Sequence, residues 1–336
     1  MTAIQPTTLQ SSQAGITAAS PTQVRHVSVA RLCQLDPGTV THQQRLPLML
    51  DLRAALAEQP QALSRSQAGR LAALAHYLCD WPGLKLLQQH GYQPVDPIEQ
   101  LLPDIQLGRY AEACAALHNC NSSVARSKRL QAMKSGLQQA IQQQPYPAEA
   151  LSQGAISLTL LQCHHVGDFG WQYGSSDIAR LCNLPVFQSA EHWLAWLYQC
   201  KLERSRLLFA VIHKDFGLIG SVSLQLFHGV GFFYYWLGKD FQGQGFGPVA
   251  VDLLLQLGQR YLGMHCCFAK VFSFNLPSKK AILRIGFTHL PFTARAPSEH
   301  EEFYYLGPAQ HLFWLHHQLQ DLLSLLLSGI ELEPLS

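Results

Sequence analysis

The spacing of apolar residues changes near residue 150 and divides the sequence into two parts. Between Val24 and Gln144, leucines and alanines recur every three or four residues, as in "SRSQAGRLAALAHYLCDW", which is the period of an amphipathic helix. After the Pro- and Gln-rich stretch "QQQPYPAEALSQG", runs such as "RLLFAVIHK" and "GFFYYWLG" are rich in β-branched and aromatic residues. We therefore expect an all-α helical domain over residues 23–147, followed by a domain with strands over residues 150–308.

The second part alternates strand and helix patterns in the order strand, two helices, three strands, helix, strand, helix and strand. The connections between the three central runs, 206–214, 218–227 and 231–238, are too short for a parallel crossover. Strands of both directions are therefore expected, and the sequence predicts an α/β (α+β) domain with a mixed central sheet.

One stretch of the first part is similar to a known repeat. "LLPDIQLGRYAEACAALHN" places Gly108, Arg109 and Tyr110 before an Ala-rich helix, which resembles the turn and second helix of a tetratricopeptide-type hairpin. A solenoid of such repeats normally needs three or more copies. The only further similarity to the repeat is weak and lies between Trp81 and Gly91. A generic helical bundle and a repeat-like module that binds a peptide or another acceptor both remain open.

The two ends of the sequence differ from both parts. Residues 1–22 are rich in Thr, Ser, Gln and Ala and lack the pattern of a signal peptide, so a disordered leader is predicted. Residues 309–336 carry apolar residues at alternating three- and four-residue steps, which indicates an amphipathic C-terminal helix. This stripe either packs against the chain's own domains or forms a homodimer; it consists of Leu312, Leu315, Leu319, Leu322, Leu326 and Ile330.

Composition argues against several classes of partner. A net charge of +2 and a pI near 8.1, without long Lys/Arg blocks, do not give the basic footprint of nucleic-acid binding. No run reaches the roughly 18 apolar residues that a membrane span needs. The nine cysteines show neither zinc spacing nor a disulfide framework, which favours buried thiols in a cytoplasmic protein. No metal is expected, because the histidine pairs at 164–165 and 316–317 also lack ligand spacing.

A glycine-rich loop predicts an anion-binding site. Gly243, Gly245 and Gly247 follow the strand pattern 231–237 and precede a helix that begins near Pro248. Amides at a helix N-terminus carry partial positive charge, and glycine lets a phosphate approach the backbone closely. A Rossmann site is disfavoured because no acidic residue ends the next strand, and a P-loop because no Gly-Lys-Ser/Thr follows.

Two spaced motifs make the second part similar to one family. "QGQGFG" fits the Q/R-x-x-G-x-G/A pyrophosphate motif, and "NLPSKKAILRIGF" fits the N-x-x-S/A…G-F element of the GNAT superfamily of CoA-dependent N-acyltransferases. Over residues 155–307 the sequence resembles most closely the branch that acetylates ribosomal-protein N-termini. The resemblance implies a GNAT fold with acyl-CoA as the cosubstrate. It implies CoA contacts from Leu237, Gln242, Gly243, Gln244, Gly245, Phe246, Gly247 and Asn275.

The resemblance also implies a candidate acid. Many family members use a Tyr late in the second motif to protonate the departing thiolate, but Ile282 stands at that position. The ribosomal branch is expected to use the Ser of N-x-x-S, which corresponds to Ser278. Ser278 is therefore the candidate acid, and the alternative is that it only caps the helix around Pro277.

The base is expected between the second motif and the last strand. There the resemblance implies a Glu, with Glu299 as the first choice and Glu301 and Glu302 as alternatives. His228 and His300 are further candidates, because a histidine with a pKa near 6.5 can accept a proton at neutral pH.

These features predict an N-acyltransferase that moves an acyl group, acetyl or longer, from acyl-CoA to a primary amine. A peptide or protein amine is favoured by analogy with the closest branch, with the helical domain positioning it. The alternatives are a fatty-acyl transferase on a biosynthetic peptide side chain, an acetyltransferase of a small amine such as an amino sugar, and a catalytically silent CoA-fold binding protein. Because the predicted CoA contacts lie within residues 155–307, a chain starting near Ala148 is expected to keep its CoA site.

Overall fold

The computed structural model describes residues 27–58, 63–119, 128–143, 146–174, 176–182, 185–203 and 205–335. The predicted leader, residues 1–22, lies outside the described residues. A helical region precedes a mixed sheet that is covered by helices, which confirms the predicted fold class.

The helices and strands follow the chain in this order. The helices are α1 (Val29–Leu32), α2 (His42–Ala57), α3 (Arg65–Leu78), α4 (Trp81–Gln89), α5 (Pro97–Gln106), α6 (Tyr110–Asn119), α7 (Lys128–Gln143), α8 (Val166–Tyr173), α9 (Ser176–Cys182), α10 (Ala190–Leu202), α11 (Phe246–Tyr261), α12 (Leu276–Ile285) and α13 (Leu312–Leu325). The strands are β1 (Ser152–Gln153), β2 (Ile156–Leu160), β3 (Arg206–His213), β4 (Gly217–Phe227), β5 (Val230–Leu237), β6 (Cys266–Phe272), β7 (Thr288–Leu290) and β8 (Glu301–Leu306).

The strands form one sheet in the order β1-β2-β3-β4-β5-β6-β8-β7. Neighbouring strands are antiparallel, except that β5 and β6 run parallel. Within the described sheet, β5 pairs with β6 only from Val230 to Phe232, opposite Cys266 to Phe268. Beyond Phe232 the two strands separate, and a cleft opens in the middle of the sheet.

The two faces of the sheet have separate cores, because side chains alternate along each strand. On one face, α11 and α12 pack against residues such as Val222, Phe233 and Ala269. On the other face, the β3–β4 side is covered by α8, α10 and helices of the N-terminal region, and the β6–β8 side is covered by α13. The cleft between β5 and β6 therefore lies where the coverage of that face changes.

A third helix, α8, lies between the first two predicted strand runs, where the sequence pattern indicated two helices. Gly167 and Gly170 lower its intrinsic helix propensity, so the local pattern is weak. The helix forms because Phe169 and Asp168 are fully buried between the sheet and the N-terminal helices, and packing overrides propensity.

The N-terminal helices share one apolar core with the sheet. Leu71, Leu78 and Leu84 belong to the same buried cluster as Phe169 and Trp236 of the second part. The division of the chain into two domains at residues 147–150 remains a prediction. The surface at which the two parts meet is, however, part of a buried apolar core. The hairpin of α5 and α6, joined by a turn with Gly108 at φ 73°, has a smaller core of its own together with α7.

Polar groups are buried at the same junction. The Trp81 Nε1–H donates to Asp168 Oδ2 at 2.7 Å, and the Arg45 guanidinium lies 3.8 Å from Asp168 Oδ1. Burial raises the pKa of the Asp168 carboxyl to about 7, although Arg45 and Trp81 act in the opposite direction. The Tyr110 hydroxyl lies 3.1 Å from Thr159 Oγ1 of β2. These contacts fix the helices to α8 and β2.

The C-terminal helix packs against the chain's own sheet. Leu315, Leu319 and Leu322 of α13 are buried against Phe268 and Phe303 of β6 and β8. Most of the apolar stripe is therefore covered by the chain itself, as the first of the two alternatives predicts, whereas Leu312 is 44% exposed. In the part of the chain that the structure describes, no helix combines the length and apolar character needed to cross a membrane.

The shared core changes the expectation for a shortened chain. Starting the protein at Ala148 removes Trp81 and Arg45, leaves Asp168 without both partners and exposes apolar residues of the shared cluster. We predict that this shortened protein aggregates or loses cooperative unfolding, measured by size-exclusion chromatography and thermal denaturation beside the full chain. A monomeric shortened protein that unfolds cooperatively and binds acetyl-CoA as the full chain does would contradict the prediction.

Candidate active site

The cleft between β5 and β6 contains the first cavity of the site. This cavity of about 70 Å³ is lined by residues of both separated strands, including Tyr235 and Val271. A groove of about 500 Å³ adjoins it between α9 and the N-termini of α11 and α12. The two spaces share Cys182, Asn275 and Ser278 in their walls.

The glycine loop forms one end of the groove. Gly243 and Gly245 have φ angles of 74° and 84°, a conformation that residues with a Cβ rarely adopt. Gly245 is the N-cap of α11, so the amides of Phe246 and Gly247 lie in the first turn and have no intrahelical acceptor by position. The loop thus presents amides and the positive end of the helix dipole to the groove, as predicted for an anion site.

Side chains of the predicted loop residues support the backbone. Gln242 Nε2 donates to the Leu237 carbonyl at 2.9 Å, and Gln244 Nε2 donates to the Asp240 carbonyl at 2.6 Å. The Phe246 ring packs against His213, with ring centroids 5.1 Å apart. The backbones of these residues, and not their side chains, are therefore the groups best suited to contact a ligand.

The groove is positively charged. Arg180, Lys239, Lys280 and Arg284 lie in its wall, whereas Asp177 is the one acidic side chain among the described lining residues. An elongated ligand with several negative charges would complement this surface.

Asn275 and Ser278 lie at the start of α12, where the groove meets the cleft. Asn275 is the N-cap, and its Oδ1 accepts a hydrogen bond from the Ser278 amide at 3.3 Å. The alternative role for Ser278 as the cap is therefore wrong, because Asn275 has that role. The Ser278 side chain remains available to the cleft, whose wall it forms.

A scan against protein families matches this region. The model of the Acetyltransferase (GNAT) domain family covers residues 156–288. Residues 156–288 form a GNAT acetyltransferase domain. This match supports CoA-dependent N-acetyltransferase activity for this part of the chain. A search of curated proteins found no match.

Solved structures are similar to just under half of the chain. The acetyltransferase from Salmonella typhimurium that modifies the N-terminal serine of ribosomal protein L7/L12 is 16% identical, with 47% of this chain and 97% of that chain covered and a TM-score of 0.42. The ribosomal-protein-S5-alanine acetyltransferase from Vibrio fischeri is 18% identical, with 46% and 94% covered and a TM-score of 0.40. The spermidine N-acetyltransferase from Vibrio cholerae, in complex with CoA and spermine, is 16% identical, with 45% and 95% covered and a TM-score of 0.41.

Tyr235 and Cys182 line the cleft and the groove together with Ser278 and were not among the predicted site residues. Burial raises the pKa of Tyr235, and the neighbouring Ser278 hydroxyl has a smaller effect that lowers it. Burial also raises the pKa of the Cys182 thiol to about 12. The aromatic run 232–236 was the available signal for Tyr235, but its residues alternate between two faces, and the sequence did not show which tyrosine faces α12.

The structure places the predicted carboxylates in three different surroundings. Glu299 lies on an exposed turn outside the walls of the cleft and groove. Glu301 is 8% exposed, lines the cleft and forms an ion pair with Lys270, which is also buried. Burial acts to raise the pKa of Glu302, but hydrogen bonds from Lys279 and Tyr304 lower it overall. Of the three predicted glutamates, Glu301 is the one that lines the cleft together with Ser278 and Tyr235.

The histidine candidates lie away from these groups. His228 is exposed in the turn between β4 and β5, and His300 is exposed beside the Phe274 ring. Neither lines the cleft or the groove. Among the described residues, no group of three or more His, Cys, Asp or Glu side chains could hold a metal ion.

A third cavity, of about 190 Å³, lies beside β5 on the face opposite α11. It is lined by Arg206, Ser223 and Trp196, and it shares Tyr234 with the cleft. Burial raises the pKa of Tyr234 to about 12, so its phenol is protonated at neutral pH. Its wall also shares Cys182 and Trp236 with the groove, so the three spaces adjoin one another.

The glycine loop allows a matched test of anion binding. Replacing Gly245 with Asp adds negative charge at the start of α11, where φ is 84°. The control is Gly154→Asp. Gly154 lies at φ 63° in the β1–β2 turn, so this substitution gives the same backbone strain far from the groove. A Cβ at either glycine would have no neighbour within 4 Å. We predict that both variants lose about 1–2 kcal/mol of stability, whereas only Gly245→Asp loses acetyl-CoA affinity, at least tenfold by calorimetry. Equal affinities in the two variants would contradict the loop assignment.

Proposed function

We propose that the protein transfers an acetyl group from acetyl-CoA to a primary amine of a peptide or protein. The observation that carries this proposal is the cleft in the sheet, which adjoins a basic, amide-lined groove and a further cavity across β5. This arrangement supports the meeting of two substrates at the separated strands.

In this proposal the groove holds CoA. The pyrophosphate contacts the amides of residues 242–247, and the pantetheine arm extends along β5 past Leu237, with Asn275 as a hydrogen-bonding partner. The basic side chains Lys280 and Arg284 would neutralise the remaining phosphate. The small volume at the cleft, about 70 Å³, favours acetyl over a fatty acyl chain.

Acyl transfer needs a neutral amine, donors for the developing oxyanion and a proton for the departing thiolate. We assign the proton acceptor to Glu301, because it is the buried carboxylate in the cleft wall. Glu299 was preferred from the sequence, and its exposed position makes it the weaker candidate. Ser278 stays a candidate on the acid side because it lines the cleft.

A large cavity on the proposed acceptor side supports a peptide or protein amine as the acceptor. A cavity of about 720 Å³ between α8, α9 and α10 has apolar and aromatic walls, including Phe169, Phe187 and Trp193. The N-terminal helices contact the opposite side of α8, where the Trp171 Nε1–H donates to the Tyr77 carbonyl at 2.8 Å. The helical region can therefore influence acceptor choice through α8.

A small-amine acceptor remains the second candidate, and a homodimer and a cytoplasmic location remain predictions.

The direct test follows CoA release from acetyl-CoA and longer acyl-CoAs with three kinds of acceptor: short peptides with free N-termini, polyamines and amino sugars. We expect turnover with acetyl-CoA and a peptide, detected as a mass increase of one acetyl group on the peptide. Preference for a polyamine or amino sugar would favour the small-amine alternative. CoA binding without turnover on any acceptor would indicate a catalytically silent protein.

The two glutamates give competing, measurable outcomes. If Glu301 accepts the amine proton, Glu301→Gln lowers kcat about 100-fold or more, and Glu299→Gln leaves kcat unchanged. Because Glu301→Gln leaves Lys270 buried without its partner, acetyl-CoA affinity and thermal stability are measured in parallel. A large loss of kcat in Glu299→Gln alone would reverse the assignment.

A further inference from the structure

The position of Ile282 leaves the acid side of the reaction incomplete. Ile282 is buried in the cleft wall and has no proton to give, although a tyrosine is expected at that position from the family resemblance. The structure places another phenol in the same wall, on the strand facing α12. We propose that Tyr235 is the acid that protonates the CoA sulfur, with Ser278 as its hydrogen-bonding partner. This inference rests on the proposed transfer reaction.

The geometry places Tyr235 where both spaces meet. It lies on β5 beyond Phe232, the last residue paired with β6, and it lines the cleft and the groove together with Ser278. Its ring also lies against the start of α11, because a Cβ at Gly247 would be only 3.1 Å from Tyr235 Cε2. Gly247 therefore makes room for the ring as well as presenting an amide.

The chemistry favours the phenol over its neighbours. General acids work best when their pKa lies close to the working pH, and a phenol is a stronger acid than the aliphatic hydroxyl of serine. Burial raises the pKa of Tyr235, so the phenol is protonated at neutral pH. Cys182 also lies close enough to affect the pKa of Tyr235, and burial raises the pKa of its thiol to about 12, so it too is protonated at neutral pH.

The amine nitrogen forms a bond to the acetyl carbon, and the carbon–sulfur bond breaks with its electron pair remaining on sulfur. The Tyr235 hydroxyl gives its proton to that sulfur, which leaves as the CoA thiol. The surplus proton on nitrogen goes to Glu301 or to solvent, and solvent returns a proton to the phenolate.

The test compares Tyr235→Phe with Tyr146→Phe. Tyr146 is a half-buried tyrosine that packs edge-on against Tyr261, away from the cleft, so its replacement is the matched control. With acetyl-CoA and the peptide that the wild-type enzyme uses best, we expect Tyr235→Phe to lower kcat about 100-fold with an unchanged KM for acetyl-CoA. Ser278→Ala should lower kcat less, because the phenol remains, and Tyr146→Phe should match the wild type.

A binding measurement separates a proton donor from a packing residue. CoA carries the sulfur that the phenol contacts, whereas desulfo-CoA lacks it. We expect Tyr235→Phe to weaken CoA about fivefold and to leave desulfo-CoA affinity unchanged. Wild-type kcat in Tyr235→Phe, or equal weakening of both ligands, would overturn the role of Tyr235 alone. Absence of turnover in the wild-type protein would overturn the proposed function and the acid together.

Discussion

The early separation of β5 from β6 is the constraint on which the rest of the site depends. The two strands pair over three residues each and then leave backbone groups facing a cleft inside the sheet. Backbone amides and carbonyls in such a place need partners, and a ligand with amides of its own can supply them as an added strand would. The same separation lets α12 bring its N-terminus, with Asn275 and Ser278, to the cleft. A fully paired sheet would leave no space for either substrate.

Features fixed by local backbone demands were predictable from the sequence. Gly243 and Gly245 adopt left-handed φ angles, and Asn275 caps the helix that its motif begins. Six of the eight described strands and the mixed sheet followed from period-2 patterns and short turns, whereas the short strands β1 and β7 were not predicted. Helix α8 was missed because its glycines conceal a helix that tertiary packing stabilises.

Features set by strand register could not be predicted. Phe272 pairs with Glu301 and Lys270 pairs with Phe303, so Lys270 and Glu301 are diagonal neighbours that form a buried ion pair. From the sequence, Glu299, Glu301 and Glu302 differ by only one or two positions. One residue of register decides which carboxylate enters the cleft. The core that the N-terminal helices share with the sheet could not be predicted either. Apolar periodicity shows that one face of a helix is buried, but it does not show which element covers that face.

The aromatic run on β5 combines these constraints. Because side chains alternate, Phe233 and Tyr235 face α11 and α12, whereas Tyr234 and Trp236 face the cavity on the opposite side. Two adjacent tyrosines thus have different surroundings: Tyr235 meets Ser278 at the groove, and Tyr234 meets Arg206 at the far cavity. A strand between two substrates needs bulk on both faces to fill the sheet and a polar tip on each face to meet a ligand. Tyrosine is the side chain that satisfies both demands at once, because its ring packs as phenylalanine does and its hydroxyl reaches the cavity.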